Sequence, residues 1–150
     1  MSMRLSDGFA MADLEKAKAK AQADKKPLGF IVVWGQFFNT PSNSRDGGST
    51  AALVHFYKAF HENLVLVFVR HETELGLVPP AAEKGISGPD QGGYAPNMAV
   101  TDATATEFIV EIPCRNKDGP ARDLIYAAGA KKINDWLDTH PDAVTKDITR

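Results

Sequence analysis

The chain has 150 residues, a hydrophobic fraction of 43%, 24% charged residues and a formal net charge of −2. That length suits one soluble domain over 1–150, burying roughly two thirds of its unfolded surface. The near-balanced charge leaves no footprint for nucleic acid or an anionic membrane, and the longest apolar runs are far too short to insert into a bilayer.

The first element expected is a helix over about 7–24. Asp7 is positioned to cap it, and Ala10, Leu14, Ala17 and Ala21 share one face. Lys16, Lys18 and Lys20 fall off that face and read as solvated. Pro27 and Gly29 then punctuate the way into a strand, Phe30–Trp34, which is apolar without alternation, as a strand covered on both faces is. The stretch 39–49 is polar and rich in Gly, Ser and Asn, with nothing to anchor a core, so a long loop is expected. Ser49 or Thr50 caps a second helix to about His61, with Leu53, Phe56, Tyr57 and Phe60 inward. Leu64–Val69 is a second apolar strand, and strand, helix, strand in that order implies a crossover between parallel strands.

From Glu72 to Tyr94 the pattern is weaker: Leu75–Val78 pack, Pro79–Lys84 form a helical turn, and Gly85–Gly93 read as loop. Asn97–Thr101 and Thr106–Ile112 are expected as an antiparallel hairpin turning over Asp102–Ala105. A turn there makes paired residue numbers sum to about 207 or 208, which sets Ile112 beside Pro96 and Cys114 near Tyr94. A last helix, Ala121–Asp138, carries Ile125, Gly129, Ile133 and Trp136 on one face. No repeat, heptad run or linker interrupts the core, about 9–138, and 139–150 read as a peripheral tail.

This order of elements, with Lys25-Lys26-Pro27 before the first strand, Trp34 at its end and Tyr94-Ala95-Pro96 before the hairpin, resembles the thioredoxin-like superfamily. The resemblance covers about 9–137 and implies an α/β fold. Its mixed sheet joins a parallel βαβ half to an antiparallel ββα half, with an extra N-terminal helix and helices flanking the sheet. In that family the turn after the first strand carries Cys-x-x-Cys, and the proline opening the hairpin is cis beside the active site. An X-Pro bond is where the cis form is cheap, so the resemblance implies a cis bond at Ala95–Pro96. Phe38 and Pro41 stand near the family's two cysteine positions, and no residue from Gly35 to Thr50 is a cysteine. Dithiol exchange needs an attacking thiolate and a resolving thiol. A member without Cys-x-x-Cys is therefore expected to be redox-inactive.

The leading expectation is a binding module that holds an extended peptide or a protein partner in a groove formed by Phe37, Phe38, Tyr94, Ala95 and Pro96, through β-augmentation. The plainer alternative has both phenylalanines tucking a turn against the core. Cys114, the only cysteine, offers a second function, a thiol-dependent enzyme, with Arg115 as a neighbouring charge that lowers a thiol's pKa. Against it stands the usual fate of a free cysteine, inert burial. A third reading is a structural subunit whose exposed aromatics form an oligomer interface. His55 and His61 face different ways on their helix, and His71-Glu72-Thr73-Glu74 lacks spaced partners, so no metal is expected. The Gly-rich 85–93 lacks the Gly-Lys-Ser/Thr ending of a phosphate loop, and no cofactor is implied. Residues 1–16 lack a signal peptide's apolar core, so the compartment stays open: cytoplasmic as written, exported if a leader has been trimmed.

Overall fold

The computed structural model describes residues 9–33, 58–70, 74–86, 97–113 and 119–140. Five strands form one open sheet: β1 (Phe9–Ala10), β2 (Leu28–Val33), β3 (Val65–Arg70), β4 (Asn97–Thr101) and β5 (Phe108–Pro113). Their order is β1-β3-β2-β4-β5. β1 and β2 both run parallel to β3, whereas β4 is antiparallel to β2 and β5 antiparallel to β4. The described helices are α1 (Leu14–Asp24), α2 (Pro80–Ile86) and α3 (Gly119–Asp138). Residues 58–60 are also helical and fall within the span where a helix up to His61 is expected.

Strand alternation sorts the apolar residues onto two faces. On one face Leu28, Phe30, Val65, Val67 and Ala99 meet Met11, Ala17 and Ala21 from the N-terminal segment and α1, with Val78 and Ala82 beside them. On the other, Ile31, Leu66, Phe68, Met98, Val100 and Ile112 meet Phe60 and the α3 residues Tyr126, Ala130, Ile133 and Leu137. Helices therefore cover both faces, which is why β2 and β3 read as unbroken apolar runs. The Phe60 and Tyr126 rings meet edge to face at 5.5 Å across this second layer.

Four details depart from the sequence reading. First, residues 9–10 are not helical: they pair with Val67 and Phe68, and a 3-10 turn over Met11–Asp13 precedes α1. A two-residue strand has no periodicity of its own, so its tertiary pairing overrides the helical pattern. Ala17 and Ala21 are buried as expected, and Lys18 and Lys20 pair with Glu15 and Asp24 on the solvent side. Second, Gly29 lies inside β2. A Cβ there would meet Met98 Sδ at 2.6 Å and Leu66 Cδ2 at 3.1 Å, so the glycine makes room for Met98. Third, the helix after Pro79 runs on through Gly85 to Ile86.

The fourth is the hairpin register. Asn97 pairs with Pro113, Met98 with Ile112 and Ala99 with Glu111, a sum of 210 rather than 207 or 208. Ile112 therefore lies opposite Met98, not Pro96. The cause is a longer turn, with β5 starting at Phe108 and an irregularity between Val100 and Thr101. Asp102 builds that turn. Its Oδ1 accepts the backbone N–H groups of Thr106 (2.8 Å) and Glu107 (3.1 Å). Its Oδ2 accepts the hydroxyls of Thr104 (2.8 Å) and Thr106 (3.0 Å). Ala105, at φ 61°, turns the chain through the left-handed region.

Candidate functional site

The residues expected to line a groove, Phe37, Phe38, Tyr94, Ala95 and Pro96, lie outside the described residues, as do Cys114, Arg115, the 39–49 loop and the Ala95–Pro96 bond. The sheet nevertheless decides where the chain leaves and joins it. β2 pairs with β3 in parallel through Val33↔Arg70, and β4 runs against β2 with Ile31↔Met98. The carboxyl ends of β2 and β3, the start of β4 at Asn97 and the end of β5 at Pro113 thus share one end of the sheet.

The opposite end holds a cleft of about 540 Å³. Three chain segments converge on it: the end of α1 with Gln22, Lys25, Lys26 and Pro27; the β4–β5 turn with Asp102, Ala103, Thr104 and Glu107; and the end of α3 with Trp136, Leu137, Thr139 and His140. Pro27 and Leu137 are buried and supply an apolar floor.

Each wall has a local cause. α1 ends at Lys25, which takes φ 58° and ψ 49° and donates its N–H to the Ala21 carbonyl; Lys26 N–H donates to the same oxygen at 2.9 Å. This is the left-handed helix end that glycine usually supplies, and here a lysine holds it. Trp136 lies in the last turn of α3 and His140 two residues past its end, four residues on along the chain. Their rings stack at 3.9 Å and 9°. His140 Nδ1 lies 2.7 Å from the Trp136 carbonyl oxygen and 2.9 Å from the Thr139 hydroxyl. The Thr139 hydroxyl donates to the same carbonyl at 3.0 Å.

Glu107 closes the third side. Its Oε2 lies 3.4 Å from Trp136 Nε1 and 3.6 Å from His140 Nε2, tying the turn to the end of α3. Asp102 plays a different part. Burial raises its pKa, but the N–H and hydroxyl donors of Thr106, Thr104 and Glu107 outweigh that and hold it below its ordinary value. With both oxygens engaged, it builds the wall rather than offering a free acceptor. Among the described residues no group of three His, Cys, Asp or Glu side chains is arranged to hold a metal ion. Also among the described residues, no helix is long and apolar enough to cross a membrane.

Lys25-Lys26-Pro27 and Trp136 stand in the sequence pattern with other duties, and Glu107 and His140 stand out in none. Two signals were present. Asp-x-Thr-x-Thr at 102–106 is a run of side chains suited to capping a turn, and Trp136 with His140 has helical i, i+4 spacing. Compared with protein-family models, curated proteins and solved structures, the chain finds no match.

Proposed function

We propose that this chain is a redox-inactive, thioredoxin-like binding module that takes an extended peptide or protein segment at the carboxyl end of its parallel strands. The observation that carries the reading is the sheet itself: β1, β3 and β2 run parallel and are continued by the antiparallel pair β4 and β5. Such a mixed sheet is compatible with the βαβ and ββα halves that the resemblance implies. Two further points support it. Ligands of open α/β sheets favour the carboxyl ends of the strands, and the segments after Val33 and before Asn97 both join the sheet at that end. An extended peptide there gains affinity from main-chain hydrogen bonds and selectivity from pockets for its side chains, the role assigned to Phe37, Phe38 and Tyr94.

A second reading rests on Cys114. β5 ends at Pro113, opposite Asn97, so the lone thiol follows directly from the same end of the sheet. A thiol-dependent enzyme using Cys114 alone would show fast alkylation at neutral pH, and a slow rate typical of an ordinary thiol removes this reading.

The peptide reading is tested by capture from a random peptide library. Phe38→Ala and Tyr94→Ala are each expected to weaken capture by about 2 kcal/mol, as aromatic anchors do when truncated, with little change in thermal stability. Unchanged capture by both variants, or unfolding of both, would remove the groove.

A further inference from the structure

The cleft at the amino end of β2 is lined by lysine charges that face it without a close ion-pair partner among the described residues, although Lys26 also acts at longer range on Asp24. Lys25 and Lys26 stand on one wall, and among the described residues neither forms an ion pair. Across the cleft, Glu107 accepts the Trp136 indole N–H at Oε2, close to His140, while its Oε1 has no hydrogen-bond partner among the described residues. Between them lies the apolar floor of Pro27 and Leu137, bordered by Trp136. The backbone points to the same place. Lys25 and Ala105 are the two residues other than glycine with positive φ among those described; one lines the cleft and the other lies in the turn that walls it. Backbone strain of this kind gathers where a surface is shaped for a ligand.

We propose that this cleft binds an α-carboxylate whose neighbouring N–H is a donor. This chemistry is shared by an N-acylated amino acid and the carboxyl-terminal residue of a peptide. The carboxylate pairs with the Lys25 and Lys26 ammonium groups, the amide N–H donates to Glu107 Oε1, and the side chain rests on Pro27, Leu137 and Trp136. A multiply charged anion without a donor, such as a phosphate ester, fits poorly because Glu107 faces it with like charge. The volume, about 540 Å³, lies within the range of pockets that enclose small organic ligands. The site is at the opposite end of the sheet from the peptide groove proposed above and shares no residue with it.

The test uses the full chain and N-acetyl-phenylalanine as the probe, followed by NMR at the Trp136 indole N–H, assigned with Trp136→Phe. Saturable shifts are expected, with a dissociation constant of about 1 mM or tighter. N-acetyl-phenylalaninamide, which lacks the carboxylate, should bind at least about tenfold more weakly, the scale of one charge-assisted contact. The double variant Lys25→Gln/Lys26→Gln should lose about the same factor for the acid and bring acid and amide level. Its melting temperature shows whether it is folded. An acetylated tetrapeptide ending in Phe that binds more tightly than the single residue identifies a peptide terminus as the ligand; equal or weaker binding identifies the small acid. Phe38→Ala and Tyr94→Ala should leave all these values unchanged. No saturation up to about 10 mM, equal binding of acid and amide by the native chain, or a folded double variant that binds the acid normally would each overturn the proposal.

Discussion

Asp102 and Lys25 show how single side chains set local geometry here. Four donors converge on the Asp102 carboxylate; alanine removes all four bonds, and asparagine puts an N–H donor where Oδ2 accepts the Thr104 and Thr106 hydroxyls. Asp102→Ala is expected to destabilise the fold by about 1–2 kcal/mol, the range for removing a capping side chain, measured by urea unfolding. The effect has a pH signature. The folded pKa is held below the ordinary 3.8, so the stabilisation is fully present above that value and lost as pH falls through the lower folded value. The stability gap between the native chain and Asp102→Asn should therefore narrow in acid below 3.8. A gap that persisted unchanged to strongly acidic pH would show that the carboxylate charge is not what holds the turn. Lys25 presents the opposite case. A non-glycine residue in the left-handed region costs energy that glycine avoids, partly offset by a lysine's attraction to the negative end of the helix. Lys25→Gly should thus raise stability by about 0.5–1 kcal/mol, while weakening the carboxylate site proposed for that cleft.

Between elements, close approach is bought with glycine. α3 lies against β5 at Gly129, where a Cβ would meet Ile112 Cδ1 at 2.5 Å and Cγ1 at 2.7 Å. In an exposed helix interior, alanine would be favoured over glycine by about 1 kcal/mol. Overpacking a filled core costs about 1–3 kcal/mol, and Ile112 is only 1% exposed, with little room to yield. Gly129→Ala is therefore expected to be destabilising. Combined with Ile112→Val, which removes the nearest atom, it should cost less than the sum of the two single changes. Strict additivity in a double-mutant cycle would show that α3 and β5 can part without penalty. Gly29 serves the same purpose within the sheet, making room for Met98.

Across the whole molecule, the chemistry is bounded by one count. The chain has a single cysteine, so an attack by Cys114 on a disulfide has no second thiol in the chain to release the product. In a disulfide-reduction assay without added small thiols, with a Cys-x-x-Cys protein as positive control, the rate is expected to equal that of buffer. Catalytic turnover would mean that two chains cooperate, each supplying one thiol. The two ends of the sheet also carry different demands. At the carboxyl end the chain leaves β2 and joins β4, and at the other end three segments enclose a cleft. Variants at Phe38 and at Lys25 should accordingly act on separate ligands.

The residues by themselves determined the central strands, the last helix, and the sense in which β2 pairs with β3 and β4 with β5. Unbroken apolar runs at 30–34 and 64–69 announce strands covered on both faces, and the β-branched segments 97–101 and 106–112 announce a hairpin. The spacing of Ile125, Gly129, Ile133 and Trp136 announces the last helix, whose buried face the structure centres on Tyr126, Ala130, Ile133 and Leu137, with Ile125 and Trp136 at its margin. Those signals are local, because hydrophobic period reports only which face of an element is covered. What period cannot report was decided by the tertiary structure. Phe9–Ala10 is a strand only because β3 offers it an edge. The hairpin register follows from how many donors Asp102 gathers into its turn. The cleft exists because Lys25, Glu107 and Trp136, up to 111 positions apart in the chain, meet where two helices and a turn end together. Residues so far apart share no pattern along the chain; only the folded arrangement makes them neighbours.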